Sequence, residues 1–198
     1  MPAPYTLAIM KSLVFVTGNA HKFDNGSRIC NQHGIELHQK ELDITEIQDN
    51  DGELVARDKA QKVYNLLQEP LIITDDSWIV PGLGGFPGVY MHAVNEWFTS
   101  EDWLRLTKDL EDRRIIMRQF LVYQDKDCQR VFVGDVLGTL LKQIQGASNH
   151  PNLSIIAFDN SGFSVAEQRA RGESLTGANA TVWHEFAPWY TTYSGPNT

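Results

Sequence analysis

The residues best suited by type and spacing to do chemistry are two adjacent carboxylates, Asp75 and Asp76, followed by the hydroxyl of Ser77. They close the apolar, β-branched run Leu71 to Thr74, which reads as a buried strand. A loop dense in glycine and proline follows, with Pro81, Gly82, Gly84, Gly85, Pro87 and Gly88. Strand ends in α/β sheets face the crevices where ligands bind, which suits reactive carboxylates. Neighbouring strand side chains point to opposite faces, so at most one aspartate is expected to point straight at a ligand. Taken alone, such a pair reads most simply as a polar strand end before a turn. The long Gly/Pro loop shifts the balance, because such loops let backbone approach something closely.

A second candidate lies near the N-terminus, where the apolar strand Ser12 to Thr17 runs into Gly18-Asn19-Ala20-His21-Lys22 and a polar, helix-compatible segment, Phe23 to His33. A strand, a glycine turn and a helix N-terminus surround a concavity with unpaired N–H groups, an arrangement that suits phosphate. Lys22 adds a charge one turn in. The GxxxxGK[ST] spacing of a Walker loop is absent, and a plain N-capped helix fits the same residues.

The elements that must position these groups alternate between strand and helix. Glu36 to Ile44 offers a strand region, Asp49 to Gly52 a turn, and Glu53 to Leu67 a helix with Leu54, Val55, Ala60, Val63 and Leu67 on a loose apolar stripe. That helix carries Lys59 and Lys62, for which a solvated face is the plain reading. Ser100-Glu101-Asp102 starts a helix that ends near Leu110. Ile115 to Tyr123 and Arg130 to Val136 flank a turn and read as a hairpin. Leu153 to Phe158 is a further short apolar strand, and Val165 to Arg171 forms a helical turn or two. The tail is rich in aromatics, including Trp183, Phe186, Trp189 and Tyr190, which pack on the body or on a partner chain. Periodicity alone therefore gives an α/β class.

With 198 residues, 42% hydrophobic and 21% charged, the chain suits one domain (1–198) with a proper core. The net charge of -8, without a basic block, argues against nucleic acid and anionic membrane surfaces as partners. Cys30 and Cys128 lie far apart and make no metal or redox spacing, so a reducing, cytoplasmic setting is expected. No apolar run is long enough for a signal peptide or a membrane span. His21, His92 and His184 show no metal spacing. Trp78, beside the carboxylates, lines a pocket, stacks a base or fills the core.

Read together, VFVTGNAHKFDN, DITEIQDNDGELVARDKA and TDDSWIVPGLGGFPGVY resemble, in order, the TGNxxK segment, the acidic loop with its following helix, and the (E/D)DSG…LGG(F/L)PG block of the inosine triphosphate pyrophosphatase (Ham1-like) family. FVGDVLGTL resembles a later strand pair of that family. The resemblance implies an elongated, twisted mixed β-sheet flanked by helices, with two lobes and a central cleft. It also implies a Mg²⁺-dependent enzyme, a homodimer, that hydrolyses deaminated purine nucleoside triphosphates to the monophosphate and pyrophosphate. By resemblance Thr17, Gly18, Asn19, Lys22, Lys59 and Ser77 hold phosphate, Glu46, Asp75 and Asp76 hold Mg²⁺, and Asp76 orients or deprotonates the attacking water. A non-catalytic nucleotide-binding protein, or a pyrophosphatase of another phosphorylated metabolite, stays open as an alternative.

The second half departs from the family. Its FG(W/Y)DP(I/C)F segment falls at Asn152 to Phe158, where NLSIIAF keeps only the final phenylalanine, and its SHR triplet falls at Gly177-Ala178-Asn179. Those segments grip the base in the family, so the base-binding residues stay open here. Gly177, Ala178, Ile155, Ile156 and Ala157 offer shape but few donors, which implies weak base selectivity or a different ligand. Asn179, Arg169, Arg171 or Trp183 supplying the contacts from a shifted backbone is the competing expectation.

Overall fold

The computed structural model describes residues 11–158, 161–173 and 181–195. Its centre is one mixed sheet in the order β2-β1-β3-β5-β6-β7, with β4 paired to β3. Strands β1 (Lys11–Val16), β2 (Ile35–Lys40) and β3 (Leu71–Ile79) are parallel. Strands β4 (Pro87–Gly88), β5 (Arg114–Gln124), β6 (Gln129–Leu140) and β7 (Ile156–Ala157) add antiparallel pairings. Helix α1 (Ala20–Gln32) crosses from β1 to β2, and α2 (Gly52–Leu67) leads into β3. Helices α3 (Met91–Trp97) and α4 (Ser100–Thr107) lie between β4 and β5, and α5 (Val165–Ala170) and α6 (Thr181–Thr192) close the chain.

The two faces of the parallel part are covered by different helices. On one face Leu13, Phe15 and Ile72 pack with Ile29 of α1 and Trp183, Phe186 and Tyr190 of α6. On the other, Val14, Val16, Leu71 and Ile73 meet Ala56, Ala60 and Val63 of α2. A third cluster, built on Val80, Trp103, Ile115, Leu153 and Ile155, forms a second lobe at the far end of the long hairpin. The aromatic tail thus packs on its own chain's body, as helix α6. Among the described residues no helix is long and apolar enough to cross a membrane.

Several boundaries differ from the sequence reading, each for a local reason. Helix α1 starts three residues earlier than Phe23, because the Asn19 side chain caps it by accepting the Lys22 N–H at 3.1 Å. Strand β2 stops at Lys40 instead of Ile44, since its partner β1 ends there, at the Val16–Lys40 pair. Leu153 to Phe158 is a strand only at Ile156–Ala157, preceded by a 3-10 turn at Pro151–Ser154. Helix α3 has no counterpart in the sequence reading.

The most consequential correction concerns β3. The strand does not end at the aspartates but continues to Ile79, paired with β5 throughout. Its parallel pairing with β1 ends at Val16–Ile73. Asp75 and Asp76 are therefore in mid-strand, just past the point where β3 loses its β1 neighbour. The crevice belongs to the end of β1, and the carboxylates border it from the longer strand beside it.

Candidate active site

A cavity of about 420 Å³ opens between the two lobes where β1 ends. Side chains of β3 alternate across the sheet as a strand dictates. Asp76 and Trp78 share the face carrying α1, while Asp75 and Ser77 belong to the face carrying α2. On the α1 side, Lys22 Nζ stands 2.8 Å from Asp76 Oδ2, with 29% and 15% of the two side chains exposed. Burial works to lower the Lys22 pKa, but the charge and hydrogen bond of Asp76, with smaller help from Asp75 and Glu46, raise it above its ordinary value. Lys22 is therefore a fixed cation at neutral pH. Asp76 Oδ1 is buried and has no hydrogen-bond partner among the described residues.

On the α2 side, Lys59 Nζ lies 2.5 Å from Glu46 Oε1. Burial raises the Asp75 pKa, Lys59 and Lys22 pull it down, Glu46 pushes it up, and the net shift is upward. Three carboxylates and two lysines thus interact around the open edge of β3. Asn19, Lys22, Glu46, Asp75 and Asp76 line the cavity directly.

Other expected phosphate contacts stand further back. Thr17 Oγ1 accepts the Asn19 N–H at 3.1 Å and shapes the turn. A Cβ on Gly18 would come within 2.7 Å of the exposed Glu41 carboxylate, which would have to swing aside. Lys59 reaches the cluster through Glu46 and is not part of the cavity wall. Ser77 requires a correction: it is buried on the α2 face, where a Cβ on Gly52 would meet its Oγ at 2.3 Å. Its hydroxyl faces the packed α2 N-terminus, on the opposite side of β3 from Asp76, and not the cavity.

Among the described residues no group of three metal-ligating side chains is gathered closely enough to form a cage. The available donors are hard carboxylate oxygens, and Asp76 Oδ1 is a buried acceptor without a donor among the described residues. That chemistry fits a Mg²⁺-type ion, which takes one or two carboxylates and completes its shell with water and substrate phosphate.

The far end of the cavity differs most from the sequence reading. Ile155, Ile156 and Ala157 do not form its wall; they are at most 2% exposed, and Ile155 and Ile156 pack into the second-lobe core. Gly177, Ala178 and Asn179 lie outside the described residues. The wall comes from Trp78, Phe158, Asn152, Arg169, Trp183 and, across the cleft, α3. Trp78 and Phe158 pair at 5.8 Å between ring centroids, about 7 Å along the strand from Asp76. Three carboxamides missed in the sequence, Asn95, Gln119 and Asn152, line the cavity with buried oxygens that have no partner among the described residues. They come from three unrelated segments, so no spacing marks them. Of the three, Gln119 is brought to the site by its pairing with Asp76 across β5 and β3. His21, His92 and His150 also border the cavity.

Comparison with known proteins converges on one family. The Ham1 family model matches residues 13–166. A dITP/XTP pyrophosphatase of Ignicoccus hospitalis is 33% identical over 141 residues, 70% of this chain and 74% of that one. A dITP/XTP pyrophosphatase of Methanothermobacter marburgensis is 29% identical over 186 residues, 90% of this chain and 96% of that one. Among solved structures, a HAM1 protein from Coxiella burnetii superposes with a TM-score of 0.75 at 14% identity, covering 93% of this chain and 100% of that one. The Staphylococcus aureus Ham1 protein gives 0.72 at 18% identity, covering 91% and 98%. The mixed sheet with flanking helices is the fold these structures share with the chain.

Proposed function

The chain belongs to the Ham1 family, and from that premise we propose that it is a nucleoside triphosphate pyrophosphatase, splitting its substrate with water into the monophosphate and pyrophosphate. The observation that carries this reading is the five-charge cluster at the open edge of β3, with Lys22 against Asp76, Lys59 against Glu46 and Asp75 between them. A triphosphate brings about four negative charges, and its hydrolysis is governed by positioning and charge stabilisation more than by covalent help. Lys22 and the capped N-terminus of α1 at Asn19 meet the phosphate oxygens, with Lys59 supporting from behind Glu46.

Water attacks the α-phosphorus, the bond to the bridging oxygen breaks, and pyrophosphate leaves. Asp76 orients that water and accepts its proton, a task its free Oδ1 suits. Glu46, Asp75 and Asp76 are the residues that would hold Mg²⁺. When bound, the ion neutralises charge developing on the phosphate oxygens. Homodimerisation follows the family expectation. Val133 and Leu137, 41% and 67% exposed on the outer side of β6, offer apolar surface for it. Sedimentation at micromolar concentration is expected to give a dimer, and a compact monomer would remove that part of the proposal.

The test of activity is pyrophosphate release from a panel of triphosphates, with Mg²⁺ and with EDTA. Release is expected only with Mg²⁺. Asp76→Asn is expected to abolish it while the purified protein keeps its circular-dichroism spectrum and cooperative melting. Near wild-type release from Asp76→Asn would make the aspartate pair structural.

A further inference from the structure

The base end of the cleft holds polar side chains that the phosphate chemistry does not use. Asn152 stands where the resemblance places the first aromatic of a base-gripping segment. It is 1% exposed, lines the cavity and has an Oδ1 without a partner among the described residues. A buried amide left unpaired in a native fold signals a missing partner. Arg169 of α5 borders the same cavity. Arg169 is exposed to solvent, its guanidinium makes no ion pair or hydrogen bond among the described residues, and partial burial lowers its pKa from the ordinary value.

Its neighbour Arg171 shows the contrast. That guanidinium is held by Glu167 at 3.0 Å and lies 3.7 Å over the Phe163 ring. The backbone beneath Arg169 is fixed as well. Ser164 caps α5 by accepting the Glu167 N–H at 3.0 Å and donates its own hydroxyl to the Gln145 carbonyl at 2.6 Å. Helix α5 packs on the 3-10 turn that carries Asn152, so both side chains belong to one wall. The Trp78–Phe158 pair, which lines the same cavity, is a surface on which a planar ring can stack.

We propose that Arg169 is the base-specificity residue of this cleft, with Asn152 as its adaptable neighbour, and that together they select nucleobases carrying an exocyclic carbonyl; this rests on the pyrophosphatase reading above. A guanidinium offers only donors, so it pairs with a carbonyl oxygen and leaves an exocyclic amino group unpaired. A carboxamide can turn to present either its oxygen or its nitrogen, so Asn152 serves both kinds of base edge. Discrimination therefore resides in Arg169 and general base affinity in Asn152. Guanine carries the same carbonyl as hypoxanthine and is accepted with it.

The experiment measures kcat/KM for inosine, guanosine and adenosine triphosphates. In parallel it measures quenching of tryptophan fluorescence by inosine and adenosine monophosphates, since Trp78 and Trp183 line the cavity. The proteins are the wild type, Arg169→Leu, Arg169→Lys and Asn152→Leu, with Asn152→Ser should the leucine variant fail to fold. The wild type is expected to prefer inosine and guanosine over adenosine triphosphate by about tenfold or more, the scale of one good polar contact to a base. Arg169→Leu brings the first two down towards the third, Arg169→Lys keeps part of the preference, and Asn152→Leu raises KM for all three alike. Equal loss for every base in Arg169→Leu would make Arg169 a phosphate contact, and an unchanged ratio would make it a surface residue; either result overturns the proposal. If no triphosphate releases pyrophosphate, the pyrophosphatase reading fails, while the monophosphate quenching ratio still decides the role of Arg169.

Discussion

At the scale of single residues, the site stores charge in a half-buried setting and divides it between two faces of one strand. Asp75 and Asp76 are adjacent, yet their surroundings differ: Asp76 is paired with Lys22 at 2.8 Å, while burial dominates at Asp75 and raises its pKa above the ordinary 3.8. A carboxyl whose native pKa is raised binds its proton more tightly folded than unfolded. Its favourable contribution is complete below pH 3.8 and is lost as the pH climbs through the raised native value. At neutral pH Asp75 therefore weakens the metal-free fold. Asp75→Asn is expected to melt above the wild type at neutral pH in EDTA, with the gap closing as the pH falls below 3.8, while pyrophosphate release is impaired. Equal melting temperatures at neutral pH would show that Lys59 and Lys22 already compensate the burial. Both aspartates border the cavity, although the sequence reading expected at most one to point straight at a ligand; their adjacency was plain in the sequence. The fate of Ser77 was not, because which face is the cleft depends on where β1 stops beside β3.

At the scale of elements, α6 is seated on α1 through a glycine. A Cβ on Gly26 would lie 2.6 Å from two atoms of the Trp183 ring. Trp183 is 3% exposed and meets Phe15 edge-on at 5.2 Å and Phe186 at 6.1 Å, so it has no room to retreat. Alanine gains about 1 kcal/mol over glycine in a helix interior. Overpacking a core costs about 1–3 kcal/mol and here outweighs that gain. Gly26→Ala is expected to lower the melting temperature and to shift the tryptophan emission, and because Trp183 lines the cavity, KM should rise as well. A stabilised variant with unchanged emission would mean that the helices separate freely. This contact explains what the sequence left undecided about the aromatic tail. Its apolar content was visible, but its partner, a glycine more than 150 residues upstream, carries no local signal. The N-terminal elements were easier to read, because caps, turns and β-branched runs act over a few residues. The far wall of the cleft is assembled from a 3-10 turn, a two-residue strand and short helices, which leave no periodicity to read.

At the scale of the whole molecule, the chain's first and last described elements are tied together next to the long hairpin. Lys11 Nζ donates to the carbonyls of Tyr190, Thr191 and Tyr193, closing the end of α6 against the start of β1. Asp125, 1% exposed at the hairpin turn, accepts hydrogen bonds from Tyr123 Oη at 2.8 Å and Tyr193 Oη at 3.0 Å. It also accepts the N–H groups of Asp127 and Cys128, so one carboxylate fixes both the turn and the helix that covers the core. Asp125→Asn keeps the shape but replaces one acceptor oxygen with an NH₂ group that cannot accept, leaving buried donors unpaired at about 1–3 kcal/mol. For a chain of this size that corresponds to a fall of roughly 2–12 °C in melting temperature. Burial and the hydrogen bonds to Asp125 hold the hydroxyls of Tyr123 and Tyr193 well above the ordinary tyrosine pKa of 10.0. The stability they contribute is intact below pH 10.0 and drains away at higher pH, because the unfolded chain ionises first. The wild type should therefore lose stability steeply above that pH, and Asp125→Asn, with the network already broken, should lose less. Following melting temperature and tyrosinate absorbance for both proteins across that range decides it. Parallel curves for the two would mean that α6 is held by its apolar face alone.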